Sequence, residues 1–140
     1  MNTFQKLSDF LETDYDENYW SDNAVILAGD MLNQFTPSDW SSLVAAWPAK
    51  RPTWRIRLAD TLGEGPAKES MPILKNMLLS PEIEVAMKAA DSIRAQFQVG
   101  YSGTLNQEEV GRLKEISDSN RLYKMVLADL IGKFENKANG

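Results

Sequence analysis

The chain has 140 residues, 43% hydrophobic and 25% charged, which is enough apolar material for one cored domain and unlike a disordered or fibrous composition. It contains no cysteine and no histidine. That excludes disulfides, thiolate metal sites and Ser-His or Cys-His nucleophile pairs, and removes the usual neutral-pH base, so the expectation is a chain that is not an enzyme, with no cofactor and no metal.

The net charge of −5 is unevenly spread, because residues 7–49 hold no Lys or Arg but carry Asp9, Glu12, Asp14, Asp16, Glu17, Asp22, Asp30 and Asp39. Acidic surface of this density repels phosphate backbones, which argues against direct nucleic-acid binding and for a basic protein partner. No apolar run approaches the roughly 18–20 residues that span a bilayer, and the first residues lack a signal-peptide pattern, so a cytoplasmic protein without membrane contact is expected.

In chain order, hydrophobic periodicity predicts helices and no strand. The first helix covers residues 4–13, with Phe4, Leu7, Phe10 and Leu11 on one stripe. A loop over 14–21 precedes a second helix over 22–34. Thr36, Pro37 and Asp39 supply the cap, first turn and capping-box acid of a third helix that ends at Trp47, before Pro48. Pro52 opens the fourth, which stops at Gly63. The fifth carries Met71, Pro72, Leu74 and Leu78, with Pro72 expected in its first turn. The sixth spans 81–97. A loop over 99–104 leads to a seventh helix capped by Asn106 and Glu109 and ending near Ser117. The eighth covers 120–133, and the polar tail from Glu135 onward is expected to fray.

These helices repeat. Asn23, Leu27, Ala28 and Met31 recur 31 residues later as Trp54, Leu58, Ala59 and Leu62, and again as Val85, Ala89, Ala90 and Ile93. A fourth copy, Leu127, Ala128, Asp129, Leu130, Ile131 and Gly132, echoes Leu58, Ala59, Asp60, Thr61, Leu62 and Gly63 but lies 38 residues past the third, the loop at 99–104 accounting for the difference. Units of this length bury their apolar faces against neighbours and build an elongated surface suited to gripping a partner. The expected fold is therefore all-α, a right-handed α-solenoid of about four hairpins (about eight helices) in one domain over 1–140, the hairpins at roughly 3–34, 36–63, 66–97 and 105–134.

The run Met71-Pro72-Ile73-Leu74, followed by Val85, Ala89, Ala90 and Ile93, resembles a HEAT repeat, with Arg55 beside Trp54 at the family's arginine position and Ala86 replacing it in the next unit. A small acidic solenoid of this kind is similar to immunity proteins of bacterial contact-dependent growth inhibition and related polymorphic toxin systems. The resemblance implies an inhibitor that binds a basic cytoplasmic toxin domain, a nuclease for example, and covers its active site. A HEAT-like adaptor or scaffold that inhibits nothing is the alternative.

Two surfaces are candidates for partner binding. The position after the paired small residues is Asp60, Asp91 and Asp129 in successive repeats, a carboxylate ladder on the side opposite the core. Arg57 with Asp60 and Lys88 with Asp91, each spaced i and i+3, could instead be ordinary surface ion pairs. The segment 14–20 interleaves Tyr15, Tyr19 and Trp20 with Asp16 and Glu17, the mixture in which rings anchor and charges steer. There Tyr15 is expected to be exposed, while Tyr19 and Trp20 either face a partner or fold inward over the second helix. Trp40, Trp47 and Trp54 are expected in the core. Asp14, Asp16 and Asn18 lack the downstream glycine and glutamate of a calcium loop. The partner's identity, the oligomeric state and the face that binds are left open by these residues.

Overall fold

The computed structural model describes residues 2–139, with side chains through residue 135. Among them there is no strand. The elements are α1 (Thr3–Glu12), α2 (Glu17–Tyr19), a π turn (Trp20–Ala24), α3 (Val25–Leu32), α4 (Pro37–Ala46), a 3-10 turn (Trp47–Ala49), α5 (Pro52–Leu62), α6 (Ala67–Leu78), α7 (Ile83–Gln98), α8 (Gln107–Ser119) and α9 (Arg121–Asn139). Because α2, the π turn and α3 form one continuous rod, this is eight helices. None of them is long and apolar enough to cross a membrane.

The predicted caps form. Thr36 and Asp39 close a capping box on α4, as do Asn106 and Glu109 on α8, each exchanging side-chain and backbone hydrogen bonds that occupy otherwise unpaired N–H groups. Asp39 reaches further. Its Oδ1 accepts the Phe4 N–H at 3.2 Å, so one carboxylate ties the starts of α1 and α4.

Three boundaries differ from the sequence reading. Asp16 caps a helix that begins at Glu17, so half of the expected loop is helical. Pro72 lies in the interior of α6 rather than its first turn; it is exposed, as is Lys68, whose carbonyl it cannot bond, so solvent reaches the gap. The last helix continues to Asn139, and the expected fraying from Glu135 falls partly outside the described side chains.

Helices α3, α5, α7 and α9 form a row in which each packs on the next; α1 packs on α3, α4 and α5, and α6 on α8. Repeat columns set the buried contacts. Trp54, Leu58, Ala59 and Leu62, like Val85, Ala89, Ala90 and Ile93, are all buried, and Leu127 occupies the same position in the fourth copy. Trp54 is core, while Trp40 and Trp47 are only partly buried against it.

The first copy breaks register: Ala28 is buried as its column predicts, but Asn23 and Leu27 are exposed, and Val25, Gly29 and Leu32 face inward. The Val25 N–H bonds the Trp20 carbonyl five residues back. That wider turn absorbs one residue and so shifts the buried stripe. It also brings α3 close to the end of α5, where a Cβ on Gly29 would lie 2.7 Å from that of Glu64.

Candidate functional site

Successive units are locked together by side chains that reach carbonyls at the ends of the preceding helices. From α5, the Trp54 Nε1–H donates to the Ser8 carbonyl at 3.1 Å. The Arg57 guanidinium fans over the carbonyls of Leu11, Thr13 and Tyr15. From α7, Ser92 Oγ donates to the Ala59 carbonyl at 2.6 Å, and Gln96 Nε2 donates to those of Leu62 and Gly65 at 2.9 and 3.0 Å. From α8, Arg112 covers the carbonyls of Leu78 and Ser80. The carbonyls of Leu11, Thr13, Ala59 and Leu78 are among those that helix ends leave without an intrahelical partner, while that of Leu62 also accepts the Gly65 N–H at 3.3 Å. Arg55, at the position noted above, joins α5 to the start of α7 by an ion pair with Glu82 at 2.5 Å.

Along the same row runs a trough of about 510 Å³. Glu17 lies at one end; Ile56 of α5 and Met87 of α7 line its apolar part; Leu122, Tyr123 and Val126 of α9 close the other end. Glu84, Lys88, Asp91 and Arg94 of α7 complete the lining. An adjoining cavity of about 270 Å³ shares Glu17, Ile56, Glu84 and Lys88 and extends to Trp20, Arg57 and Asp60. These residues fall in repeat columns: Thr53, Glu84 and Leu122; Ile56 and Met87; Arg57, Lys88 and Val126; Asp60 and Asp91. Glu17 and Glu84 are exposed at the rim and make no ion pair among the described residues.

The carboxylate ladder is only partly assembled. Asp60 and Asp91 line one cavity of about 260 Å³, whereas exposed Asp129 lines a separate one with Arg94 and Lys133. Asp60 is mostly buried, and its Oδ2 accepts the Trp20 Nε1–H at 3.1 Å with Lys88 Nζ 3.7 Å away. Burial pushes its carboxyl above the usual range, and Lys88 and the indole N–H pull part of the way back. Neither expected i, i+3 pair forms: Arg57 is committed to carbonyls, Lys88 crosses to Asp60, and Asp91 pairs with Arg94 at 2.7 Å.

The aromatic segment also divides. Trp20 is 6% exposed, which resolves the two readings in favour of inward folding. Tyr15, expected to be exposed, is half-buried: its ring lies 5.2 Å from Phe10, 5.5 Å from Tyr19 and 6.2 Å from Trp20, with Arg57 over both Tyr15 and Trp20. Arg57 gathers this cluster by stacking as well as hydrogen bonding. Tyr19, 44% exposed, is left as the accessible ring, flanked by exposed Asp16 and Glu17.

Of the eight acids in 7–49, all but Asp39 are exposed, and only Glu12, with Arg51, is ion-paired among the described residues. No group of three or more candidate metal ligands gathers among the described residues. The sequence reading missed Glu84, Met87, Leu122, Tyr123 and Val126. The repeat register finds Glu84, Met87, Leu122 and Val126 through the columns of Thr53, Ile56 and Arg57, whereas Tyr123 stands in the column of buried Trp54 and Val85 and carries no such signal.

No protein-family model matches the chain, and comparison with curated proteins and with solved structures returns no match.

Proposed function

We propose that the four hairpins stack as a right-handed, HEAT-like α-solenoid whose trough and acidic N-terminal third hold one basic protein partner. The reading that fits best is an immunity-type inhibitor that neutralises a basic toxin domain, a nuclease for example, by covering its active site. One observation carries this: unpaired carboxylates of Glu17 and Glu84 rim a partly apolar trough, whose cations Lys88 and Arg94 are taken up by Asp60 and Asp91, beside a third of the chain whose exposed charge is acidic. Apolar lining supplies contact area, and charge at the rim raises the encounter rate and sets the sign of the partner. Tyr19 is the ring best placed to anchor it.

The test uses the partner captured by the intact chain. Association is followed at several ionic strengths for the wild type and for the combined variant Asp16→Asn, Glu17→Gln and Glu84→Gln; Asn still caps α2 at position 16. The variant is expected to associate more slowly at low salt and to converge on the wild type at high salt. An acidic partner, or rates indifferent to salt and to these charges, overturns the mechanism. A bound partner that keeps full activity replaces inhibition with an adaptor role.

A further inference from the structure

The row α3–α5–α7–α9 has two ends, and each leaves large apolar side chains exposed among its polar ones, where terminal repeats normally present a polar outer face. Asn23 of the π turn and Ile26, Leu27 and Asp30 of α3 stand at i, i+3, i+4 and i+7 and are all exposed, Ile26 to 53% and Leu27 to 47%. On α9, Arg121, Lys124, Met125 and Ala128 repeat that spacing and are all exposed, Met125 to 72%. The charges are opposite. Asp22 and Asp30 flank the α3 stripe, inside the segment that has no Lys or Arg. Arg121 and Lys124 flank Met125, make no ion pair among the described residues, and outnumber the one exposed acid further along, Asp129.

We infer that the α3 end of one molecule docks on the α9 end of a second copy, continuing the row of helices head to tail. The two surfaces are different, so the contact is heterologous and leaves a free α3 end and a free α9 end on every assembly. Association therefore grows with concentration instead of stopping at a symmetric dimer. Each end offers only one helix face, a contact below the roughly 1,000 Å² of a stable interface, so the complex is weak and dynamic. Opposed charges fix which end meets which and make the contact sensitive to salt. This inference rests on the ends of the row and not on the trough, so it stands or falls separately from the partner-binding reading.

The experiment is sedimentation of the full chain from micromolar to about millimolar concentration, at low and high salt. Average mass is expected to rise with concentration at low salt and to fall back toward the monomer at high salt. Leu27→Lys should block one end and Met125→Glu the other, leaving each variant monomeric; both positions are exposed, and unchanged helical circular dichroism verifies folding. Mixed in equal amounts, the two variants should form a dimer and nothing larger, because each keeps the end that the other lacks. A wild type that stays monomeric at the highest concentration overturns the inference, and so does a mixture that stays monomeric. A closed symmetric dimer abolished by one variant and untouched by the other also overturns it.

Discussion

Asp60 links the pH behaviour of the protein to one buried contact. Its carboxyl is raised above the ordinary 3.8, with burial as the main cause. Between that value and its folded pKa, the folded chain holds a proton that the unfolded chain has released, so this group's contribution to stability declines as pH rises through the window. Asp60→Asn keeps an acceptor for the Trp20 indole and removes the titration. The variant is expected to lack that decline, measured as urea-unfolding free energy against pH. Asp39 acts with the opposite sign: backbone N–H donation from Thr36 holds its carboxyl low, so its contribution is present above 3.8 and lost as pH falls through its lowered pKa. Arg57 is the other decisive residue. A lysine carries its donors at one point and cannot both fan across three carbonyls and lie flat over Tyr15 and Trp20. Arg57→Lys is expected to cost about 1–3 kcal/mol by urea unfolding. An unchanged midpoint would remove Arg57 from its place as organiser of the N-terminal segment. None of this was legible in the sequence, where Arg57 reads equally well as a local partner of Asp60.

Among the elements, the end of α5 depends on α7. Gly63 ends the helix as its sequence dictates, but the carbonyls it leaves behind are covered from the next hairpin by Ser92 and Gln96. Gln96→Leu keeps the side-chain volume, strands the Gly65 carbonyl and leaves that of Leu62 with the Gly65 N–H alone, for an expected cost of about 1–3 kcal/mol. Loss of no more than a few tenths would mean that solvent serves these carbonyls equally well. Caps at Thr36 and Asn106 were readable because a capping box is complete within four residues. The covering of α5 was not, because its donors lie more than 30 residues away. The start at Glu17 was missed for a similar reason. Asp16 is a good cap, but the π turn that keeps the rod continuous alters the periodicity by which helices are recognised.

For the whole molecule, side-chain bridges from α5 to α1, from α7 to α5 and from α8 to α6 join each unit to the one before, and coupled units unfold together. Trp20, Trp40, Trp47 and Trp54 all lie in the first two hairpins, so fluorescence follows that part while far-ultraviolet circular dichroism follows all of it. The two transitions in urea are expected to coincide in the wild type, and an earlier fluorescence transition would mean that the first hairpins unfold by themselves. Hydrophobic periodicity by itself determined that the chain is helical, and the 31-residue spacing found the buried columns of the middle copies, because residues that meet a neighbour in every unit must be apolar in every unit. The same is true of the acidity of residues 7–49, which needs no fold to be read. Only the tertiary structure decided which members of a polar column stay free: Asp60 and Trp20 satisfy each other across 40 residues, Tyr15 packs beneath Arg57, and Glu17 and Glu84 are left at the rim. A repeat fixes where a side chain stands within its unit, but burial and pairing are set by neighbours distant in sequence.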